Sequence, residues 1–597
     1  MQRRALLAVV LMIGVVILSN VLFPPAAPPP ETFRADSPEA TAPPRVDPRE
    51  AEPTAPGLAQ AADVLGRPVD EQLSPAVVPA DGLEPALPGG PGEAADTIRV
   101  QTDVFNLRFS TIGAAVIGAE LTQYDSYVEN GNGLTGVELV RAGDRLLQYA
   151  ITLGRDTVPL QNATFEPSER ELLLRPGDSP RELEFTYRFP GSDAAFVTTY
   201  RFTPGSYVIE TEGRLEGVPE RGYTVLVSLG NGLRTNEKNP DEDHRELAYV
   251  VKDRRGGIRA TNLDKVKAGQ IRMADGGPFR WVAIKNKYFL VALVADPDRS
   301  DFGGLVAQGV EQEHAAAITA SMPVPAGTAG FAFETYLGPQ DYGRLEAVGE
   351  GLQNVNPYGF SWIQPIMRPL VAIVLVVLTW LHSTLSLAYG WVLVVFGVMM
   401  RVILFPLYQK SMRSQMEQMA VQPLMKDIQA RYKEDPQRLQ QEMVKLYKEH
   451  HINPLSGCLP MLVPMPILFT LFFVFQGTIE FRGVPFLWLP DLSLKDPLYI
   501  IPLVMGASMF LVQRISQRGM EMNAQMKMMG WAMPVFLTFI FLNFASGLNL
   551  YYTTSNLASL PQQIYLSRER RAAHAKMKAS REDSVGKQRG KPRSQTG

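Results

Sequence analysis

A chain of 597 residues is too long for a single core, and its 46% hydrophobic content is concentrated in nearly uncharged runs of about twenty residues. The formal net charge of −3 hides opposite ends, with much of the acid in the first half and a strongly basic stretch over residues 567–597. The single cysteine, Cys458, excludes an internal disulfide framework, so an extracytoplasmic domain here must be held by its own core.

Residues 1–23 begin with Arg3 and Arg4 and continue as an uncharged run from Ala5 to Phe23. Pro24 and Pro25 follow directly, with no small-residue cleavage site, which predicts an uncleaved transmembrane anchor whose basic end stays in the cytoplasm. Residues 24–96 are crowded with Pro, Ala and acids. They cannot bury enough apolar area to offset chain entropy and are expected to form a disordered linker outside the cytoplasm. Over residues 97–338 the texture changes to short alternating runs such as Ala195–Phe202, Tyr223–Leu229 and Trp281–Val294, punctuated by Gly, Pro and Asn. A period of two over such a length predicts an all-β sandwich. Gly131, Gly133 and Gly136 make a formal G-x-G-x-x-G, but no strand-to-helix context surrounds it, so it reads as a loop. Trp281, Tyr288 and Phe289 read as core.

Residues 339–388 are expected to hold a linker helix and an interfacial amphipathic helix. The uncharged core of the latter, Leu370–Leu381, is about twelve residues, below what a span needs. If it crossed, the basic tail would end up outside, against the positive-inside tendency. Transmembrane helices are expected at 389–407, 457–478, 497–514, 530–545 and 547–566. With the anchor they make six, leaving both termini in the cytoplasm. Residues 408–456 are rich in Lys and Arg and carry a helix-start signature at Asp435 and Pro436, which predicts a cytoplasmic helical hairpin exposing Met416 and Met419 to varied apolar partners. The basic tail, 567–597, is expected to touch ribosomes through phosphate contacts, with no specific nucleic-acid sequence.

Arg401 stands out, because it sits about 18 Å into an otherwise apolar helix. An intramembrane arginine costs about 2.5–3.5 kcal/mol on insertion scales, so it should face a protein interior or a watery cavity. None of the other predicted spans supplies an Asp or Glu, so the partner is expected from outside the chain. In the last span Tyr552, Ser555, Asn556, Ser559 and Gln563 follow helical spacing and align on one face. Each alone suits interhelical hydrogen bonding; together with Arg401 they predict a hydrophilic groove. The six histidines show no H-E-x-x-H or metal-type spacing and there is no G-x-S-x-G, so no catalytic residues, metal or cofactor are expected.

The order from Arg401 onward resembles the YidC family of membrane-protein insertases, which has mitochondrial and chloroplast relatives. The residues that carry the resemblance are FPLYQKSMRSQ, the Gln422–Pro423 pair, NPLSGCLPMLVPMPILFTLF, DLSLKDPLYIIPLVMGASMF and SGLNLYYTTSN. They cover roughly residues 355–570 densely, and the anchor with its large β domain matches the Gram-negative form. The resemblance implies a five-helix insertase core behind a periplasmic β-sandwich, in a multi-pass protein of the bacterial inner membrane. It also implies that Arg401 receives acidic groups of a substrate's translocated segment. Met465, Pro466, Leu468 and Ile540 would then guide the substrate's helix into lipid, beside Tyr552, and Pro423 would mark the cytoplasmic hairpin. The implied partners are nascent membrane proteins, the lipid bilayer, the ribosome, and the Sec translocon with its accessory subunits. Gly397 departs from the pattern, since family members can carry a hydroxyl residue there. A secondary transporter of an anionic solute is the alternative reading, although the later spans show no internal repeat.

Overall fold

The computed structural model describes residues 96–128, 136–218, 222–359, 363–409, 421, 424–425, 427–449, 464–518 and 524–589. The expected anchor at 1–23, all but the last residue of the linker at 24–96, and Met416, Met419 and Pro423 lie outside them. The described chain falls into two compact units, one ending before Trp362 and one running from there to the carboxy terminus.

In the first unit, alternation becomes strands. Arg181–Arg188 buries Leu183, Phe185 and Tyr187 and leaves the residues between them partly open. Ala195–Phe202 pairs with it antiparallel, Val208–Glu216 follows, and Phe331–Pro339 pairs beyond that, all within a nine-stranded sheet. A five-stranded and a six-stranded sheet form the facing layer. Phe109 of the five-stranded sheet sits with its ring centroid 5.6 Å from Phe185 and 5.1 Å from Tyr200. Tyr149 of the six-stranded sheet lies 5.6 Å from Phe196, and its hydroxyl shares a 3.0 Å hydrogen bond with that of Tyr200. The core is thus a layer of aromatic rings that adds tilted, stacked and edge-to-face contacts to their burial. Trp281, Tyr288 and Phe289 are buried in it. Gly136 opens the strand Gly136–Glu138, which pairs antiparallel with Ala115–Asp125, so the motif's last glycine leads into a strand and not into the helix a phosphate loop needs.

Two charged clusters tie loops to this unit. Helix α1, Pro240–Glu246, turns Asp243 inward, where its carboxylate accepts the Lys287 main-chain N–H at 3.0 Å and the Asn286 amide at 3.3 Å. Burial pushes the Asp243 carboxyl up and the neighbouring Lys285 ammonium down. After the last strand comes helix α2, Tyr342–Val348, and then Glu350, whose carboxylate takes a 3.0 Å hydrogen bond from Arg280 and whose main-chain carbonyl takes one of 3.1 Å from the Trp281 indole.

The second unit is helical. Helix α3, Gln364–Leu385, buries Met367, Val371, Val374, Leu375, Leu378 and Leu381 on one face. The uncharged core of about twelve residues therefore lies inside a helix of 22: Pro365 sits in its first turn, where the missing N–H has no helical partner to lose, and Pro369 lies inside the helix, which continues through it at the loss of one main-chain hydrogen bond. Among the described residues it is the one helix long and apolar enough to cross a membrane by length and composition. The other apolar helices are shorter. They are α4, Tyr389–Ile403; α6, Pro464–Gly477; α7, Ile500–Ser516; and α8, Ala524–Phe541, with the polar α5, Pro436–Glu449, between α4 and α6. Helix α9, Ser546–Arg589, has 44 residues and runs without a break past Leu566 into the basic segment. It packs chiefly on α7 and α4, and α3 packs on α6.

Candidate functional site around Arg401

Helix α4 is apolar throughout except for Arg401 in its last turn, where the chain pauses at Leu404 before further helical residues at 405–409. The side chain is partly buried, and its Nε donates to the main-chain carbonyl of Ser555 on α9 at 3.2 Å. That carbonyl also belongs to the helical ladder of α9, so Arg401 shares an acceptor and does not own one. The guanidinium carbon lies 4.6 Å from the centroid of the Tyr408 ring. Tyr551, buried on α9, packs its ring 5.7 Å from that of Phe396 on α4. Among the described residues no carboxylate forms an ion pair with Arg401, so its charge is met by a carbonyl dipole and an aromatic face.

Helix α9 passes close to α4 at Gly397, one turn before Arg401. A Cβ there would stand 3.2 Å from Thr554 Cγ2 and 3.4 Å from the Tyr551 carbonyl, so a side chain at this position needs Thr554 to give by a few tenths of an ångström.

The five polar residues of the last span are not all turned to one task. Ser555 supplies the carbonyl to Arg401, whereas the Asn556 amide donates to Ser508 Oγ on α7 at 3.2 Å. Ser559 Oγ turns back to the Asn556 carbonyl at 2.6 Å. The Tyr552 hydroxyl and the Gln563 carbonyl oxygen are buried with no hydrogen-bond partner among the described residues, and the Tyr552 ring packs 5.5 Å from Phe541. Pro466 is exposed on α6, and Leu468 on α6 and Ile540 on α8 are half-buried; Met465 lies in α6, its side chain outside the described residues. Tyr408, Tyr551 and Ser508 complete the site and were not singled out from the sequence. Tyr408 carried a signal, since it follows Arg401 by two helical turns. Among the described residues no group of three or more His, Cys, Asp or Glu could hold a metal ion.

Two family models match the chain, one for the 60Kd inner membrane protein over residues 380–573 and one for the YidC periplasmic domain over residues 97–373. The membrane protein insertase YidC of Syntrophus aciditrophicus (strain SB) is 29% identical over 581 residues, covering 95% of this chain and 100% of that protein. The membrane protein insertase YidC of Chlorobaculum tepidum is 31% identical over 506 residues, covering 79% and 82%. A crystal structure of an active YidC insertase with its first transmembrane domain resolved aligns at 20% identity over 85% of this chain and 97% of that one, with a TM-score of 0.32.

Proposed function

Since the chain belongs to the YidC family of membrane protein insertases, with a periplasmic β-rich domain and a helical carboxy-terminal region, we propose that Arg401 is its receptor for acidic groups on the translocated segment of a membrane-protein substrate. The observation that carries this reading is the state of the arginine itself: a cation in an apolar helix whose described partners are a shared carbonyl and a ring, with no carboxylate. A charge so held gains from any carboxylate that reaches it in a low-dielectric setting.

In this account the polar residues Tyr552, Ser555, Asn556, Ser559 and Gln563 line a hydrophilic groove, and Met465, Pro466, Leu468 and Ile540 guide the substrate's helix into lipid. The helix gains about 25 cal/mol per Å² of apolar area on entering the bilayer, so the groove needs to lower only the barrier to moving a short polar flank. No nucleotide is consumed. Although α3 is long enough to cross, in this account it lies at the periplasmic interface, because a crossing there would put the basic end of α9 outside; six spans then keep both termini and the hairpin 408–456 in the cytoplasm, where the positive-inside tendency puts their charge. The basic end of α9 then meets ribosomes, and the Sec translocon with its accessory subunits is a partner. The test is reconstitution of the purified chain in liposomes with a small single-span substrate. Insertion without other factors is expected, and its absence in a correctly oriented preparation contradicts the reading.

A further inference from the structure

The Arg401 side chain is constrained at two places by two different elements. Its Nε is tied to the backbone of α9 through Ser555, and its guanidinium carbon stands 4.6 Å from the ring centroid of Tyr408, which lies beyond the pause at Leu404 and is itself held by a 3.0 Å main-chain bond to the Leu404 carbonyl. A planar guanidinium held at its Nε and over a ring has a restricted range of directions for its two terminal nitrogens. Neither terminal nitrogen has a hydrogen-bond partner among the described residues. Nothing in the charge of Arg401 alone requires this arrangement, because a freely rotating cation would attract a carboxylate equally well from a distance.

We propose that Tyr408 is a positioning residue for Arg401: its ring holds the guanidinium plane so that the two terminal nitrogens are presented together, as a fork, to a carboxylate of the translocated segment. The inference rests on the reading of Arg401 as a carboxylate receptor and adds how that receptor is aimed. Parallel N–H···O bonds from a fork to a carboxylate are stronger and more directional than a single contact, and a fork fixed beforehand loses less side-chain freedom on binding. The ring also explains why a lysine would be the poorer occupant of position 401 here, since an ammonium has no plane to lie on the ring and no second prong. What the ring supplies is its π face, not its hydroxyl, so phenylalanine should serve.

The experiment compares the unmodified full-length protein with Tyr408→Phe, Tyr408→Leu, Tyr408→Met and Arg401→Ala, reconstituted in liposomes. The substrates are a single-span pair that differ only in whether acidic residues of the translocated segment are kept or neutralised. Tyr408→Phe should match the unmodified protein. Tyr408→Leu and the longer, unbranched Tyr408→Met should lose about three- to tenfold in insertion rate on the acidic substrate, the worth of a partly desolvated cation–π contact, and nothing on the neutral one. A phenylalanine variant as impaired as leucine, or a leucine variant that loses both substrates equally, overturns the inference. Acid-selective loss in Arg401→Ala with none in Tyr408→Leu or Tyr408→Met also overturns it, and leaves the receptor reading standing. An Arg401→Ala protein without acid-selective loss overturns both.

Discussion

The Nε of Arg401 on α4 donates to the Ser555 carbonyl on α9 at 3.2 Å, and this bond joins the charge in an apolar helix to the helix that carries most of the site's polar side chains. One turn before Arg401, Gly397 faces α9 closely, with Thr554 Cγ2 3.2 Å and the Tyr551 carbonyl 3.4 Å from where a Cβ would stand. The account therefore depends on the packing of α9 as much as on the arginine.

The helix α7 against which α9 packs is capped by a buried carboxylate. Asp496 is fully buried, and it accepts the main-chain N–H of Leu498 at 2.9 Å, that of Ile501 at 2.8 Å and the Trp488 indole N–H at 3.3 Å. Asp496→Ala should cost about 2–3 kcal/mol by leaving buried donors unmet, and Asp496→Asn should recover part of it. Thermal unfolding of the purified protein in detergent checks this, and an unchanged transition for the alanine variant would show that α7 does not need its cap.

Close packing between α7 and α8 rests on Gly506, where a Cβ would fall 2.0 Å from Thr538 Oγ1. Gly506→Ala should destabilise by about 1–3 kcal/mol through overpacking, and adding Thr538→Ala should restore most of the loss. The same unfolding measurement on the single and double variants distinguishes this from a simple preference for glycine, which the second change would not relieve.

In the β-rich unit, hydrogen bonding from Arg280, aided by Lys252, holds the Glu350 carboxyl below its ordinary value. A carboxyl whose folded value is depressed contributes stability above its unfolded value and loses that contribution as pH falls through the lower folded value. Glu350→Gln should therefore speed amide hydrogen exchange of residues 349–356 in the full chain at pH 7, by an opening cost reduced about 1.5–3 kcal/mol. Relative to the unmodified protein, the difference should shrink once pH drops below the carboxylate range. A difference that persists unchanged at low pH would mean that charge is not what holds this segment.

Much of the site was legible before any coordinates, and the reasons for the remainder are physical. Arg401 was visible because a charge in an apolar run is rare and costly, and Ala195–Phe202 because alternation survives into a strand with those same bounds. Tyr408 was missed because the apolar run ends at Leu407, and hydropathy places the boundary between span and hairpin there while helical spacing carries the ring back to Arg401. The division of the polar stripe between α4 and α7 was not legible, since periodicity gives a face of one helix but not which neighbours that face meets. The capacity of α3 to cross a membrane was underestimated, because its uncharged core was counted only from Leu370, whereas Arg368 and Pro369 interrupt the apolar run without interrupting the helix.

The most direct test of the account replaces the charge at one position and reads two substrates. Insertion of paired acidic and neutralised single-span substrates is measured for the unmodified, Arg401→Lys and Arg401→Ala proteins at matched expression. A carboxylate receptor predicts that Arg401→Ala fails chiefly on the acidic substrate, that Arg401→Lys retains more than Ala but less than arginine, and that neutralising the substrate's acids removes the difference. Equal loss on both substrates, with lysine no better than alanine, would contradict the receptor mechanism and make Arg401 a structural tie between α4 and α9.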